Sequence, residues 1–414
     1  MKIAVVGSGI SGLSAAYYLS KKHTVDLFEK ENHFGGHSYT IDIEYEEKKN
    51  IAVDIGFIVF NKNTYPNLIN FFDENKILYE KSNMSFSVNV DNGSIEYSGK
   101  GLKGFLTNKS NIFNLKFIKM FFEIIKFYRK CSNLSISNSN NETLEEFLNR
   151  EKLIKYFINY HIIPMVSAIW SMPSDKAKKM PLKFFINFFN NHGLFKIKNR
   201  PQWYTVTGRS KTYVKNILGK ISGEYYKNYE INKIAKSNNN VQIFYGKENE
   251  YFIYDKVVIA AHADEALKLI EKPSKLETEV LNNFQYKNNT AVIHCDDSYM
   301  PKNNFNWCSW NSSMSSEKTN NPSITYWLNL LQNLNIKKNI FLTLNPYKKI
   351  PQDKIFNTVN FTHPFFDNNS IKYQKELYKI QNKENLLFCG SYFGNGFHED
   401  GIKSSIEMIK HLND

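Results

Sequence analysis

The sequence has few cysteines and no arrangement that would pair them or bind a metal. Its four cysteines lie far apart, and none belongs to a C-x-x-C pair. We find no cluster of histidine, cysteine and acidic residues with the spacing of metal ligands, so we expect no metal site. The N-terminus has no signal-peptide pattern. These absences favour a reducing, cytoplasmic setting, either free or in contact with the inner face of the membrane.

Acidic residues are scarce relative to basic ones, and the formal net charge is +13. Such a charge is typical of proteins that meet nucleic acids or anionic membranes. No DNA- or RNA-binding motif accompanies it, and the chain is rich in Lys, Asn, Ile and Phe together, as AT-rich codons would make it. We therefore expect no nucleic-acid partner. The Ser/His/Asp or Cys/His arrangements that would indicate nucleophilic catalysis are also missing.

A nucleotide-binding motif opens the chain. An apolar run over 3–6 predicts a strand buried on both faces, and a helical run follows through Leu19. The turn between them carries a G-x-G-x-x-G pattern, which allows a tight turn, close approach to a pyrophosphate and close helix packing. The candidate ligand-binding residues of this turn are Gly7, Ser8, Gly9, Ile10, Ser11 and Gly12.

An acidic residue ends the second predicted strand, which covers 25–28. Glu29 lies about 20 residues after Gly7, where a carboxylate accepts hydrogen bonds from a ribose 2′-OH. The N-terminus of the first helix would present N–H groups and a partial positive charge to the phosphates. We therefore predict a dinucleotide site, with Lys30 as a further candidate residue. Only one such glycine pattern is present, so we expect no second nucleotide domain for NAD(P)H.

Gly35 and Gly36 follow the acidic residue closely. In this respect the chain resembles the glutathione-reductase-like and amine-oxidase-like flavoproteins, whose Gly-Gly turn packs against the phosphates of FAD. The resemblance implies FAD as the cofactor. His37 stands where many members have arginine, and neutral histidine is a poorer anion partner than arginine. Gly56 matches the glycine that packs near the flavin.

The C-terminal region resembles the same flavoproteins. The strand and turn over 386–391 are similar to those that close over the ribityl–phosphate chain, although many relatives have an acid where Ser391 stands. A final helix is predicted over 403–412, and the resemblance implies that its N-terminus faces the flavin pyrimidine ring. The cofactor contacts that the resemblance implies in this region are Gly390, Ser391, Gly401 and Ile402.

Cofactor-binding elements at both ends of the chain predict a discontinuous arrangement. The predicted fold class is α/β, with a Rossmann-type FAD-binding domain and an interleaved α+β substrate domain of the amine-oxidase-like kind. The resemblance also places the backbone near Ile231 at the adenine. The predicted FAD-binding domain comprises residues 1–75, 200–265 and 384–414, and the predicted substrate domain comprises residues 76–199 and 266–383.

The predicted substrate domain contains an apolar helix over 112–130 that also carries cations. Its charged residues make it a poor membrane-spanning helix. We expect it to pack on the substrate domain, and a position in a membrane interface stays open as the alternative. Ser-Asn repeats over 132–141 predict a loop, and Thr143 starts a capping box for the next helix. Alternating runs over 241–245 and 250–253 predict a hairpin.

Several stretches are more specific than the fold. They are 54–61, 64–67, 163–171, 191–194, 200–203, 262–264, 325–329 and 394–401. Together they resemble bacterial NAD/FAD-binding flavoproteins of the amine-oxidase type, which are often encoded beside cyclopropane-fatty-acid-synthase-like methyltransferases. That association implies a lipid substrate and a lipid-modifying methyltransferase as a partner.

The implied chemistry needs little from side chains. A flavin accepts a hydride from a carbon held against its ring, so the protein must mainly position that carbon and exclude water. Candidates for proton transfer are His398 and Glu399, followed by Asp400, just before the final helix. Alternatively, Glu399 and Asp400 have a structural role and cap the N-terminus of that helix with their negative charge. The five tryptophans could cage an ammonium group, line an acyl tunnel or belong to the core.

The favoured hypothesis is an FAD-dependent oxidoreductase that removes a hydride from a C–H bond of an apolar small-molecule or lipid substrate, with a fatty-acyl or phospholipid chain expected. An amine oxidase that releases hydrogen peroxide is the first alternative. A non-catalytic flavin-binding partner of a lipid-modifying methyltransferase is the second.

Overall fold

The structure, a computed structural model, describes residues 1–108, 111, 113–134, 141–237, 239–247, 250–315 and 319–412. The strands are β1 (Lys2–Val6), β2 (Thr24–Glu29), β3 (Thr40–Glu46), β4 (Lys49–Asp54), β5 (Phe60–Asn61), β6 (Tyr79–Ser82), β7 (Phe86–Val90), β8 (Ile95–Ser98), β9 (Trp203–Val206), β10 (Tyr225–Lys227), β11 (Ile231–Lys236), β12 (Val241–Tyr245), β13 (Glu250–Tyr254), β14 (Lys256–Ile259), β15 (Gln285–His294), β16 (Trp310–Ser315), β17 (Thr319–Trp327), β18 (Phe341–Leu344), β19 (Ile355–Phe365) and β20 (Leu386–Phe388).

The helices follow the same chain order. They are α1 (Ile10–Ser20), α2 (Pro66–Glu74), α3 (Gly101–Phe105), α4 (Leu115–Ser132), α5 (Leu144–Arg150), α6 (Lys155–Phe157), α7 (Ile163–Trp170), α8 (Ser174–Lys178), α9 (Leu182–Asn191), α10 (Ser210–Leu218), α11 (Ala263–Leu269), α12 (Lys275–Leu281), α13 (Leu328–Leu331), α14 (Asn368–Gln374) and α15 (His398–Lys410). A π-helical segment, Ile158–Ile162, joins α6 to α7. Within the ranges that the structure describes, no helix is both long and apolar enough to cross a bilayer.

A parallel five-stranded sheet holds the predicted nucleotide-binding motif. Its strand order is β10-β2-β1-β14-β20, with β1 near the middle. Apolar side chains of β1 are buried on both faces, as the continuous apolar run predicts. One face packs on α1, α2 and α15, and the other face packs on the small antiparallel sheet β11-β12-β13 and on α11 and α12. The predicted Rossmann-type α/β fold is confirmed.

A seven-stranded sheet forms a second layer. Its order is β19-β15-β18-β17-β16-β7-β8, antiparallel except for the β16–β7 pair. Helices α3 to α9 enclose a separate apolar core beside it. The strands of the parallel sheet fall within the three segments that the sequence assigns to the FAD-binding domain, and the seven strands fall within the other two. The domain boundaries themselves stay a prediction.

Two helix boundaries differ from the sequence predictions. The final helix begins at His398 rather than at 403, and it ends at Lys410. Its first turn is closed because the Asp400 carboxylate accepts a hydrogen bond from the N–H of Phe397, 3.0 Å away. The helix predicted over 112–130 runs from Leu115 to Ser132, because the Asn114 side chain caps its N-terminus. Residue 112 lies outside the described residues.

Two local predictions are confirmed. Thr143 and Glu146 form the reciprocal hydrogen bonds of a capping box at the start of α5. Strands β12 and β13 pair antiparallel as a hairpin. Part of the loop predicted over 132–141, namely residues 135–140, lies outside the described residues.

Candidate active site

One large cavity lies between the parallel sheet and the seven-stranded sheet. Its volume is about 1120 Å³. Such a volume exceeds the range of about 300–1,000 Å³ that is usual for a single small ligand. We name two parts of its wall: the nucleotide end, which includes Gly7, Gly9, Glu29, Lys30 and Ile231, and the aromatic end, which includes Trp170, Phe188, His192, Trp203, Trp310 and Tyr326.

The glycine turn has the geometry of a phosphate-binding loop. Gly7 has a φ of +101°, and a Cβ there would lie 2.7 Å from the carbonyl oxygen of Ala260, so only glycine fits without strain. A Cβ at Gly9 would meet no heavy atom within 4 Å, because this residue faces the open cavity. Helix α1 begins immediately afterwards and presents its N-terminus there. The turn is therefore a cradle that a side chain would fill and an anion would suit.

Glu29 lies on the cavity wall, but its carboxylate already accepts several hydrogen bonds from the protein itself. Its Oε2 accepts hydrogen bonds from the N–H of Ser8 (3.0 Å) and from the Ser8 hydroxyl (2.5 Å). Its Oε1 accepts one from the N–H of Glu31, at 3.0 Å. A carboxylate oxygen accepts two hydrogen bonds, so Oε1 keeps capacity for a ligand hydroxyl. The carboxylate thus fixes the glycine turn as well as facing the ligand space.

Three histidines stand close together on the wall. The ring centroid of His37 lies 5.1 Å from that of His363 and 6.4 Å from that of His262. Burial is the main cause that lowers the pKa of His37 well below its ordinary value, and the two neighbouring rings add to it. Burial also lowers the pKa of His363 to about 4. The residue that replaces the family arginine is therefore uncharged at neutral pH.

His398 is fixed at the cavity wall by stacking and a hydrogen bond. Its ring stacks on Phe57 at 3.7 Å between centroids, and its Nε2 lies 2.8 Å from the Ser38 hydroxyl. Ser38 is in turn hydrogen-bonded to the Tyr213 hydroxyl. Burial lowers the pKa of His398 to about 3, so the imidazole is neutral near pH 7. Tyr213, Ser38 and His398 thus form a chain of hydrogen bonds that reaches the cavity wall at the imidazole.

Glu399, the other predicted catalytic residue, does not line the cavity. Its carboxylate accepts hydrogen bonds from the N–H and side-chain amide of Asn67 (3.0 and 2.6 Å) and from the N–H of Leu68 (3.0 Å). These groups belong to the first turn of α2, whose orphan N–H groups need acceptors. The geometry favours a role in fixing α2, and the catalytic role of Glu399 stays a prediction.

The backbone of Gly401 and Ile402 was expected to face the flavin, but neither residue lines the cavity. Both are buried where α15 crosses α1. A Cβ at Gly401 would lie 2.7 Å from Cγ2 of Ile10 and 2.8 Å from Oγ of Ser11, so this glycine permits the close helix contact. At the N-terminus of α15, the cavity is lined by His398 and by Phe397, which precedes the helix.

The cavity collects most of the cofactor-binding residues predicted from the sequence. Those on its wall are Gly7, Ser8, Gly9, Ile10, Ser11, Glu29, Lys30, Gly36, His37, Gly56, Ile231, Gly390 and Ser391. Gly12 and Gly35 lie behind it, where Gly35 donates its N–H to the Ser8 carbonyl at 3.1 Å. They support the turn rather than face the ligand space.

The aromatic end of the cavity holds rings and no carboxylate among the described residues. The acidic side chains on the wall, Glu29, Glu31, Glu230 and Glu265, all lie at the nucleotide end. His192 stacks on Phe188 at 3.9 Å, and burial lowers its pKa to about 4. The aromatic end is therefore uncharged at neutral pH.

Three of the five tryptophans, at positions 170, 203 and 310, line the cavity. Trp307 and Trp327 lie behind the wall, where their rings meet edge to face at 5.4 Å.

Sequence reasoning missed the part of the wall that comes from β19. All six residues over 359–364 line the cavity, and Val359, Phe361 and His363 alternate among them. Their spacing of two predicts that they share one face of the strand. No local signal shows that this face meets the ligand space, since it depends on the packing of the seven-stranded sheet against the glycine turn.

Comparisons with known proteins agree with this geometry. The model of the NAD(P)-binding Rossmann-like domain family matches residues 5–75. No curated protein matches the sequence. The fold is similar to that of a CLA-producing fatty acid isomerase from P. acnes, with 13% identity, a TM-score of 0.69, and coverage of 100% of this chain and 98% of that one.

Two solved oxidases are equally similar in fold. Cyclohexylamine oxidase from Brevibacterium oxydans has 14% identity and a TM-score of 0.70, with 100% of this chain and 99% of that one covered. Putrescine oxidase bound to putrescine has 10% identity and a TM-score of 0.69, with both chains fully covered. At these identities the likeness shows the fold, and it confirms the predicted amine-oxidase-like architecture.

Proposed function

We propose that this protein is an FAD-dependent oxidoreductase that oxidises a C–H bond of an apolar, fatty-acyl-linked substrate. The observation that carries the proposal is the continuity of one cavity, whose wall includes both the glycine turn and the aromatic end. A dinucleotide bound at the glycine turn would leave the rest of the cavity for a second molecule. FAD, when bound, supplies the hydride acceptor.

The residues at the nucleotide end fit FAD. The backbone at Gly9 and the N-terminus of α1 would hold the pyrophosphate, since the cradle there is open. Glu29 would accept a ribose hydroxyl at Oε1. Ile231 lies on the same wall and would contact the adenine. Because the nearby histidines are neutral, the negative charge of the phosphates would be compensated mainly by the N-terminus of α1. Lys30, which pairs with Glu265, would add to it.

The aromatic end supports an apolar substrate. Its rings would exclude water and orient an acyl chain by dispersion contacts. An ammonium substrate would find no carboxylate partner among the described residues of this end. Among the histidines on the cavity wall, we assign His398 to hold or pass a proton, because it is hydrogen-bonded to Ser38 and through it to Tyr213.

The amine-oxidase alternative has one specific observation in its favour, because two proteins of similar fold are named as amine oxidases. Aromatic faces also attract cations without a carboxylate. The third reading, a flavin-binding partner of a lipid-modifying methyltransferase, rests on the sequence resemblance.

An anaerobic absorbance titration separates these readings. The purified protein is expected to be yellow, to release FAD on denaturation, and to lose its flavin absorbance when phospholipid or fatty acid with unsaturated or methyl-branched chains is added. Bleaching by simple amines but not by lipid would replace the substrate assignment. A folded protein that does not take up FAD would overturn the proposal.

A matched pair of variants tests the role of the aromatic end. Trp310→Leu removes a ring from the cavity wall, whereas Trp307→Leu changes a nearby ring behind it. We expect Trp310→Leu to raise KM for the acyl substrate about fivefold or more while the flavin content is kept, because a buried ring contact is worth about 1 kcal/mol or more. Equal effects of the two variants would argue against substrate contact at this wall.

A further inference from the structure

Exposed apolar side chains gather around α3 and the beginning of α4. Leu115 and Phe113 are 85% and 86% exposed, Phe122 is 64% exposed, and Leu102 is 65% exposed. Apolar groups of this size seldom stay in water together without a partner. We call the surface formed by these four residues and the cations beside them the α3–α4 face.

Helix α4 has two opposite sides. Its buried residues Phe117, Met120, Phe127, Tyr128 and Cys131 fill the core of the helical region. The exposed positions 115, 119, 122, 126 and 129 are spaced by four and three, so they share the other side of the helix. Read along that side, they are Leu, Lys, Phe, Lys and Arg. The outward side therefore alternates large apolar groups with cations.

Helix α3 continues this surface. The ring of Phe105 lies 4.4 Å from that of Phe117 and 4.8 Å from that of Phe121, so α3 packs beside the first half of α4. Leu102 and Lys103 are exposed on α3. The apolar and basic character of the α4 side thus extends over two elements.

Cations predominate in this region, although Lys130 pairs with Glu151 of the following segment. Among the described residues between 100 and 134, the cations are Lys100, Lys103, Lys116, Lys119, Lys126, Arg129 and Lys130, and all are exposed. The one carboxylate in that stretch, Glu123, accepts a hydrogen bond from the N–H of Ile154 at 3.1 Å and so faces the rest of the domain. A partner for this face must combine negative charge with an apolar interior.

We propose that the α3–α4 face docks on an anionic lipid bilayer, with Leu115 and Phe122 entering the interface and the flanking lysines meeting phosphate headgroups. Amphipathic surfaces bind bilayers through the burial of apolar side chains together with the attraction of cations to anionic headgroups. An acidic protein partner without an apolar surface would satisfy the cations but would not bury the exposed Leu and Phe side chains. This inference does not depend on the flavin chemistry.

One loop connects the cavity wall with the buried side of α4. Leu194 lines the cavity. The next residue, Phe195, packs on Phe127 and Tyr128 of α4 at 6.1 and 5.5 Å between ring centroids. Ile197, 62% exposed, follows between two lysines. Phe127 and Tyr128 belong to the buried side of α4, so this helix would separate a docked bilayer from the loop that borders the aromatic end.

Co-sedimentation of the full-length protein with vesicles tests the proposal. The probes are vesicles of phosphatidylcholine alone and of equimolar phosphatidylcholine and phosphatidylglycerol. We expect binding to the anionic vesicles that weakens as salt rises. Phe122→Glu and the pair Lys119→Glu/Lys126→Glu should each lower the partition coefficient about tenfold or more.

Control variants show whether a loss of binding is specific to the α3–α4 face. Leu78→Glu changes a side chain that is 72% exposed elsewhere, and Lys22→Glu/Lys272→Glu reverses two exposed charges outside the face. These variants should bind like the wild type, and thermal unfolding should show that every variant is folded. Equal losses in test and control variants, equal binding to neutral vesicles, or no binding at all would overturn the proposal. So would a dimer in solution that Phe122→Glu separates while vesicles stay unbound.

Discussion

Gly9 and its neighbour Gly7 are both glycines of one motif, yet they serve different needs. Gly7 has a left-handed φ and a crowded Cβ position, whereas Gly9 has an ordinary φ of −61° and open space where its Cβ would be. The first glycine is required by the protein fold. The second is required by whatever approaches the backbone from the cavity.

This difference yields a prediction at Gly9. Gly9→Val should fold with little change in the free energy of unfolding, because a Cβ at this position meets no protein atom within 4 Å. It should lose flavin, since the added methyl groups occupy the phosphate cradle. Flavin absorbance per protein and a urea melt measure the two effects, with Gly219→Val, outside the cavity, as the control. A Gly9→Val protein with full flavin content would contradict the assignment of the cradle.

Some residue properties can be predicted from the sequence alone, and others cannot. The glycine turn and Glu29 are local features, since their roles follow from a strand, a turn and a helix that are adjacent in the chain. The neutral state of His37 is not local, because it arises from burial beside His262 and His363, which belong to distant segments. Sequence reasoning could name the missing arginine but not the histidine cluster.

At the level of elements, α15 joins three parts of the molecule. Its first turn reaches the cavity through His398 and fixes α2 through Glu399, and its middle packs on α1, where the hydroxyls of Ser14 and Ser405 lie 2.7 Å apart. The sequence predicted a helix here but began it five residues late. The start of the helix could not be read from the sequence, because the residue that caps it is Asp400, which lies inside the helix. Its carboxylate accepts a hydrogen bond from the N–H of Phe397.

Glu399→Gln tests whether this residue fixes α2 or transfers protons. The amide keeps one acceptor oxygen, so at least one N–H of the α2 first turn loses its partner and the charge is lost. We expect the free energy of unfolding to fall by about 1–3 kcal/mol, with kcat nearly unchanged. Glu407→Gln, which alters a surface ion pair on the same helix, should cost about 0.5 kcal/mol or less. A large fall in kcat at unchanged stability would restore the catalytic reading.

Across the whole molecule, burial keeps many histidines neutral. Burial lowers the pKa to about 3 or 4 at five positions, namely His161, His192, His294, His363 and His398. Each of these histidines ionises in the unfolded chain below about pH 6.5 but not in the folded one. Their contribution to stability is therefore complete above that pH and is lost as the pH falls towards the folded values. Asp54 and Asp400, whose pKa values burial raises to about 6, oppose this trend below about pH 6.

The free energy of unfolding should consequently fall between about pH 7 and about pH 5. One histidine with a pKa of about 3 accounts for roughly 2 kcal/mol of that loss. His161→Gln should make the decline shallower by about that amount, since the imidazole lies between the hydroxyls of Tyr97 and Tyr128, each 2.9 Å away. Urea unfolding at several pH values measures it. Parallel curves for variant and wild type would show that His161 is not the group responsible.

The overall architecture was predictable because its signals are strong and repeated: a buried strand, a glycine turn and an acid at the right distance. The shape of the cavity was not, since its wall is assembled from strands such as β19 and helices such as α9 whose inward faces depend on tertiary packing. The three tryptophans on the wall and the two behind it look alike in the sequence.

The strand order of the parallel sheet also bears on how the chain is made. Strand β20 pairs with β14 beside β1, although β20 is synthesised long after β1. A growing chain on the ribosome therefore carries a glycine turn whose sheet is unfinished, with the edge of β14 unpaired. Unpaired edges invite aggregation, so chaperone capture during translation is expected until the final segment emerges. Cofactor loading, which needs the completed cradle and α15, is expected only after α15 has been synthesised.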